Sequence, residues 1–309
     1  MIYRGYKLPD FIVGGVSKAG TTSLFTYLNA HPEVCGTKRK ELHFFNYGYS
    51  GDKNRDLAIY SEYFCKCNSY GKLLFEATPE YLAGGSTVAQ RILDMLPNVK
   101  LLFVLREPVS RLYSFYNFFS SRYEIDEGIS FESYVDSCFS FELDNKVKEK
   151  LGLKEIELRY LQYGNYATHL KEYLQIFPRE NIKVMFFEDL CENPLSFMKE
   201  LCQFLKIDEE WYCNYSFEKS NQTFRAKRKW IHQLAMSFNT RTETWLRGKP
   251  ALKRVLVTIY KMLNQQEEGY PPMSDAERRR LEEYYKKSKL ELSMLLCGEK
   301  LPAWLDHHD

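Results

Sequence analysis

The chain has 309 residues, a formal net charge of +2 at pH 7 and a hydrophobic fraction of 44%. This length and apolar content allow one large α/β domain with a substantial core, and the nearly balanced charge indicates no particular class of partner. No run of about 20 apolar residues is present, so we expect no membrane span. Aromatic residues are abundant, with 23 Tyr and 21 Phe, and they suit either a pocket for a flat ligand or ordinary core packing.

Four short apolar runs predict buried parallel strands. They are Phe11–Val16, Lys72–Glu76, Lys100–Leu105 and Ile182–Phe187. The patterns between them predict helices at Thr22–Asn29, Thr87–Leu96, Pro108–Arg122, Asn165–Phe177 and Pro194–Leu205. Strands that alternate with helices form a parallel sheet with helices on both faces. The first apolar run is too short for a signal peptide, so we interpret it as a strand.

From about residue 230 the pattern is wholly helical and ends in a helix predicted over Ser274–Leu296. No internal repeat or low-complexity linker divides the sequence. We therefore predict an α/β fold with a P-loop-like central parallel sheet flanked by helices and a helical C-terminal extension. Residues 1–309 are expected to form a single domain, with a core at about 9–228 and the helical part at about 229–305.

The first candidate site is the sequence GVSKAGTT at residues 15–22, between the first strand and the first helix. A nucleoside triphosphatase loop reads G-x-x-x-x-G-K-[ST], but here Thr21 replaces that lysine and Lys18 lies inside the loop. The backbone N–H groups at the helix start can still bind a 5′-phosphate. A lysine placed upstream suits contact with the bridging oxygen of a leaving group, as sulfonate transfer requires. A plain helix start after a buried strand is the alternative.

The second candidate site is the sequence LREPVSRLYSFY at residues 105–116. Arg106 lies at the carboxyl end of a predicted strand, the edge at which α/β sheets bind ligands. Ser110 and Ser114 share one face of the following helix, because they are four residues apart. An arginine with a helix-borne hydroxyl makes a second anion site, which suits a nucleotide with both 5′- and 3′-phosphates. In the alternative, Arg111 and one serine only brace the helix.

The third candidate site is the sequence KRKELHFFN at residues 38–46. Glu41 and His43 are two residues apart in a stretch predicted to be extended, so their side chains are expected to point to the same side. Glu41 would then act as a general base toward a hydroxyl or an amine of the acceptor. The alternative is an ordinary surface pair.

Together these motifs resemble the sulfotransferases that use 3′-phosphoadenosine-5′-phosphosulfate (PAPS), in the branch shared by bacterial and heparan sulfate enzymes. The resemblance rests on K-x-G-T-T, K-E-x-H-F-F, the E-x-T-P-x-Y turn at Glu76–Tyr81 and the R-[DE]-P-x-x-R-x-x-S-x-Y block, in the family's order and spacing. PPMS at Pro271–Ser274, a helix with Tyr284-Tyr285 and LPAW at Leu301–Trp304 extend it. It covers the chain from about residue 9 to about residue 305.

The resemblance implies a role for each matching position. Lys18 corresponds to the lysine on the bridging oxygen, Glu41 to the catalytic base, and His43 to its polar partner. Cofactor contacts are implied for Ser17, Lys18, Ala19, Gly20, Thr21, Thr22 and Ser23 at the 5′-phosphate, for Arg106 and Ser114 at the 3′-phosphate, and for Arg225 and Lys227 in a late closing loop that follows Asn221-x-Thr223. The chain departs from the family at Ala77, where several heparan sulfate enzymes have a lysine.

The function predicted from the sequence is the transfer of sulfonate from PAPS to a hydroxyl or amine of an acceptor, without a metal. We expect the acceptor to be a small molecule, with a saccharide as the alternative. A magnesium-dependent P-loop kinase of small molecules and a non-catalytic nucleotide-binding protein are the competing functions. The stretch Phe224–Arg254 has nine Lys and Arg against one acid, and we interpret it as a solvated face or a cap over an anionic ligand rather than a nucleic-acid surface.

Eight cysteines are scattered along the chain, and Cys65-x-Cys67 has no second pair with which to form a zinc site. We therefore predict reduced cysteines in a cytoplasmic protein without a membrane partner. The oligomeric state is left open by the sequence.

Overall fold

The computed structural model describes residues 5–67, 71–126, 128–143, 153–218 and 271–306, the backbone of residues 2 and 3, and scattered helical positions between 231 and 264. The chain divides into two compact units. The first comprises Met1–Arg111, Gln162–Asn221 and Arg280–Asp309, and the second comprises Leu112–Leu161 and Gln222–Arg279. None of the helices in the described residues combines the length and the apolar character that a membrane-spanning helix needs.

The first unit is built on a five-stranded parallel sheet. Its strands are β3 (Phe11–Gly15), β4 (Val34–Gly36), β5 (Leu73–Ala77), β6 (Lys100–Leu105) and β7 (Ile182–Phe186), arranged in the order β4-β5-β3-β6-β7. A separate antiparallel pair, β1 (Ile2–Tyr3) and β2 (Tyr6–Lys7), precedes them. Every residue of the central strand β3 is buried, because helices cover both faces of such a sheet.

In the described residues, helices connect the strands of the parallel sheet and follow the last of them. They are α1 (Thr21–Ala30), α2 (Lys53–Glu62), α3 (Gly85–Met95), α4 (Pro108–Ser121), α5 (Phe131–Leu143), α6 (Glu155–Leu158), α7 (Tyr166–Ile176), α8 (Phe187–Glu192), α9 (Pro194–Leu205) and α10 (Asp275–Leu295). The predicted fold class is confirmed, and so is each strand and helix predicted with bounds, with small shifts at the ends. Most of the wholly helical stretch predicted from about residue 230 lies outside the described residues. The sequence patterns missed the short strands β1, β2 and β4, which have two or three residues each, and the helices α2, α5, α6 and α8.

Aromatic rings fill much of the interior. In the first unit, Phe11 and Phe75 stack with their ring centroids 5.0 Å apart. In the second unit, the buried Tyr134 hydroxyl donates to the carbonyl of Glu157 at 2.6 Å. Fully buried tyrosines include Tyr60, Tyr81, Tyr134, Tyr166, Tyr173, Tyr212 and Tyr285. Core packing therefore accounts for a large part of the aromatic content, and that content is a weak argument for a flat ligand.

A disulfide joins Cys35 in β4 to Cys67, which follows α2, and the two Cα atoms are 5.9 Å apart. The expectation that all cysteines are reduced is therefore wrong for this pair. The two residues are separated by 32 positions, and only the folded path of the chain brings them together. The free cysteines are Cys65, Cys138, Cys191, Cys202, Cys213 and Cys297. The disulfide argues against the predicted cytoplasmic localisation, because disulfides persist mainly in oxidising compartments.

We expect the double substitution Cys35→Ser/Cys67→Ser to lower the free energy of unfolding by about 3–4 kcal/mol. A disulfide restricts the unfolded chain, and a loop of this length corresponds to an effect of that size. Urea unfolding of the variant measures the loss, and the exposed Cys65→Ser is the matched control. Adding a reductant should lower the unfolding midpoint of the unmodified protein and leave that of the double variant unchanged. The prediction is contradicted if the unfolding midpoint of the unmodified protein stays the same although thiol titration shows that the reductant has fully reduced the disulfide.

Candidate active site

The phosphate loop connects β3 to α1 at the carboxyl edge of the sheet. Gly20 ends the loop with a positive φ of 74°, and a Cβ atom there would lie 3.0 Å from the side chains of Leu190 and Phe187. Both the conformation and the space therefore require glycine. No side chain of the described residues caps α1, and its first turn contains no acid. The first N–H groups of this helix are thus suited to an anionic ligand.

The other loop positions surround this helix start. Ala19 is fully buried, and its N–H donates to the carbonyl of Val16 at 3.3 Å. Thr21 is also buried, whereas Ser17, Thr22 and Ser23 are partly exposed. A ligand at the helix start can therefore reach partly exposed hydroxyl side chains.

Arg106 leaves the neighbouring strand β6 at the same edge. Its Nη1 donates to the backbone carbonyl of Lys18 at 2.9 Å, and its guanidinium lies 4.6 Å from the centroid of the Phe187 ring. The Tyr166 hydroxyl donates to the backbone carbonyl of Arg106 at 2.8 Å. Burial lowers the pKa of Arg106 from its usual value. The arginine thus holds the backbone of the phosphate loop, and its remaining N–H donors are suited to an anion.

The other proposed cofactor contacts lie elsewhere in the chain. Ser114 lies on α4 within the second unit and is partly buried, so its pairing with Arg106 stays a prediction. Arg225 and Lys227 lie outside the described residues, and their role in a closing loop also stays a prediction. Arg111 is 1% exposed and its guanidinium lies 5.8 Å from the Tyr166 ring centroid, which supports the structural alternative for this arginine.

A lysine links the phosphate loop to the predicted general base. The Lys40 ammonium lies 2.5 Å from a carboxylate oxygen of Glu41 and 3.4 Å from the hydroxyl of Thr21. Lys40 is 16% exposed and Glu41 is 47% exposed, so the carboxylate remains accessible to an acceptor. The position of Lys40 directly before Glu41 in the basic run KRK predicts a lysine close to this carboxylate, and the structure confirms it.

The segment around Glu41 is not extended, which corrects the prediction made from the sequence. Glu41 has φ of 62° and His43 has φ of 52°, both in the left-handed region. The turn after β5 imposes this course, because the N–H of Glu41 donates to the carbonyl of Ala77 at 2.9 Å. Lys18 also has a positive φ, of 69°. All three predicted catalytic residues therefore adopt a conformation that non-glycine residues rarely adopt and that surrounding contacts must hold.

Glu80 is an acidic member of the site that the sequence analysis did not assign. One of its carboxylate oxygens lies 3.9 Å from Nε2 of His43, and its side chain is 18% exposed. Burial raises the pKa of Glu80, His43 opposes that rise, and Glu41 adds to it. The imidazole thus faces a second carboxylate. Among the described residues, no group of three or more His, Cys, Asp and Glu is placed to hold a metal ion.

The sulfotransferase domain family has a model that matches residues 8–241 of this chain. The human bifunctional heparan sulfate N-deacetylase/N-sulfotransferase 3 is 26% identical over 97% of this chain, and the match covers 31% of the human protein. The Drosophila melanogaster bifunctional heparan sulfate N-deacetylase/N-sulfotransferase is 28% identical over 70% of this chain and 22% of the fly protein. The chain thus spans less than a third of the length of these curated relatives.

A solved structure has the same fold. The crystal structure of a sulfotransferase from Alicyclobacillus acidocaldarius superposes with a TM-score of 0.66 at 23% identity. The match covers 97% of this chain and 100% of the bacterial chain. This likeness confirms the predicted sheet and its flanking helices at the level of the fold.

Proposed function

We propose that this chain, which belongs to the sulfotransferase domain family, transfers a sulfonate group from PAPS to a hydroxyl or amine of an acceptor. The observation that carries this is the contact of Lys40 with both Thr21 and Glu41. Through Lys40, the accessible carboxylate of Glu41 lies close to the phosphate loop. In that loop Lys18 does not occupy the position of the lysine in a P-loop kinase. We also propose, as predicted from the sequence, that residues 1–309 form a single catalytic domain.

In the proposed mechanism, Glu41 accepts the proton of the acceptor as its oxygen or nitrogen attacks the sulfur atom. The new bond to sulfur forms in line with the sulfur–oxygen bond that breaks, and 3′-phosphoadenosine-5′-phosphate (PAP) leaves. Lys18 stabilises the negative charge that develops on the bridging oxygen, and the N–H groups at the start of α1 bind the 5′-phosphate. A sulfonate group has less negative charge than a phosphoryl group, so lysine and N–H donors suffice in place of a magnesium clamp.

Two acceptor classes fit this proposal. The small-molecule acceptor predicted from the sequence is supported by Ala77, which replaces a lysine that would suit a polyanion. A saccharide amine is supported by similarity along 97% of the chain to a protein named as a heparan sulfate N-sulfotransferase. The test incubates the protein with PAPS and a panel of acceptors that includes N-deacetylated heparosan, small phenols and small amines. The mass of the sulfonated product shows which acceptor class is modified. A chain that binds PAP and modifies no acceptor fits the non-catalytic alternative.

Cytoplasmic residence stays a proposal from the sequence, and one structural feature opposes it. The Cys35–Cys67 disulfide favours an oxidising compartment. The test is thiol titration of protein purified under non-reducing conditions from its native compartment. Free thiols at Cys35 and Cys67 support cytoplasmic residence, and an intact disulfide supports an oxidising compartment.

We expect PAP to bind roughly 10- to 100-fold more tightly than AMP in the absence of magnesium. The difference comes from the 3′-phosphate, because a charge-assisted hydrogen bond from Arg106 is worth about 1.5–3 kcal/mol. Isothermal calorimetry with PAP, AMP and ATP measures it. The variant Arg106→Lys keeps the charge but not the planar fork and should reduce the preference for PAP. Equal affinity for PAP and AMP, or a strict need for magnesium with ATP, supports the kinase alternative instead.

A further inference from the structure

A buried carboxyl group lies directly beneath the segment that contains Glu41 and His43. Glu76, in strand β5, is fully buried. Three hydroxyl groups donate to it: Tyr60 to Oε1, Thr78 to Oε2 at 2.8 Å, and Tyr81 to both oxygens at 3.1 and 3.2 Å. Desolvation raises the pKa of Glu76 to about 7, and these hydrogen bonds oppose the rise.

Two of the three hydroxyls also contact the catalytic segment. Thr78 Oγ1 accepts from the backbone N–H of Leu42 at 3.1 Å and from that of His43 at 3.4 Å. The Tyr81 hydroxyl accepts from the N–H of Phe45 at 3.4 Å. These contacts hold the chain where Glu41 and His43 have left-handed backbone angles.

The carboxyl group determines which way each hydroxyl points. A hydroxyl has one proton and two lone pairs, so a proton that is donated to Glu76 leaves the lone pairs for the N–H groups of the segment. Without an acceptor at position 76, the Thr78 proton is free to rotate toward these N–H groups, where it would oppose them. An apolar side chain at position 76 would fill this site without the cost of burying a carboxyl group. It would not accept the hydroxyl protons, so it would not fix the direction in which the hydroxyl groups point.

We propose that Glu76 is a positioning residue that orients the hydroxyls of Thr78 and Tyr81 and thereby holds Glu41 and His43 in their active geometry. The catalytic role of Glu41 in this proposal rests on the proposed function. The hydrogen-bond network itself can be tested by hydrogen exchange, without an activity assay. The requirement is for an acceptor oxygen beside Thr78 and Tyr81, and a glutamine can supply one.

The test compares Thr78→Val with Thr78→Ser and Glu76→Leu with Glu76→Gln. Hydrogen exchange of the N–H groups of Leu42 and His43 is one measurement, and turnover with a fixed acceptor is the other. Thr78→Val and Glu76→Leu should lose roughly tenfold in protection, the equivalent of one net hydrogen bond. Their kcat should fall roughly 10- to 100-fold through misplacement of Glu41, with the KM for PAPS little changed. Thr78→Ser and Glu76→Gln should keep both properties.

Tyr60→Phe is the matched control, because its hydroxyl donates to the same carboxyl but contacts no N–H of the segment in the described part of the chain. It should leave the exchange of Leu42 and His43 unchanged. If Glu76→Leu does not fold, Thr78→Val and the two conservative variants still decide. Normal protection and kcat in folded Thr78→Val overturn the proposal. If protection is lost but kcat is normal, the hydrogen-bond network exists but does not support catalysis, and the proposal is overturned. An active Glu41→Gln variant is a separate result that rejects Glu41 as the base.

Discussion

The variant Glu41→Gln is expected to lose about 10²–10⁴-fold in turnover, the range typical of a positioned general base. Glutamine keeps the size of the side chain and one acceptor oxygen, but it cannot take the acceptor's proton. Nucleotide affinity should change little, because in the described part of the chain the contact of Glu41 with the phosphate loop runs through Lys40. The measurements are kcat with PAPS and a fixed acceptor, and calorimetry with PAP.

His43→Asn is the comparison that gives the Glu41 experiment its meaning. His43 and Glu41 both belong to the segment held by the turn after β5, and the His43 imidazole lies 3.9 Å from the Glu80 carboxylate. If the imidazole only orients or polarises the site, His43→Asn should lose much less than Glu41→Gln. Some sulfotransferases use a histidine as the base. An active Glu41→Gln beside an inactive His43→Asn would therefore exchange the two roles and make Glu80 the group that orients the base.

Lys18→Ala is expected to lower kcat about 10²–10³-fold, comparable to the removal of one donor that stabilises transition-state charge. Lys18 is proposed to contact the bridging oxygen, which gains negative charge only as the sulfur–oxygen bond breaks. Its interaction therefore strengthens in the transition state, and turnover should suffer far more than binding of PAP. Single-turnover measurements with saturating PAPS, together with calorimetry for PAP, separate the two effects.

Lys38→Ala is the matched control for Lys18→Ala. The substitution removes the same charge from an exposed position of the neighbouring segment. Among the described residues, the hydrogen bond of Lys38 is made by its backbone N–H, to the carbonyl of Tyr63 at 3.4 Å. The variant should retain nearly full turnover. A Lys18→Ala variant with normal kcat and weakened nucleotide binding would show that Lys18 binds the ground state, and the proposed stabilisation of the leaving group would have to be abandoned.

Local sequence determined the parts of this protein that depend on neighbouring residues. The strands β3, β5, β6 and β7 were predictable because each is a largely apolar run, and parallel strands covered by helices are buried on both faces. The loop at residues 15–22 was predictable because its conformation requires glycine at Gly20, where φ is 74° and a side chain has no room. Arg106 was predictable because a strand that ends in a charged residue places it at the ligand-binding edge.

Only the tertiary structure decided how these parts meet. The extended course predicted for Glu41 and His43 was wrong, because a carbonyl and a hydroxyl from the turn after β5, more than 30 residues away, hold the segment in another conformation. Cys35 and Cys67 pair for the same kind of reason. Thr78 and Tyr81, two of the hydroxyl partners of Glu76, belong to its own E-x-T-P-x-Y motif. The third partner, Tyr60, comes from α2, and the contacts of Thr78 and Tyr81 with the segment of Glu41 and His43 also join separate parts of the chain. Such contacts join residues that are distant in sequence, so no pattern of neighbouring residues encodes them.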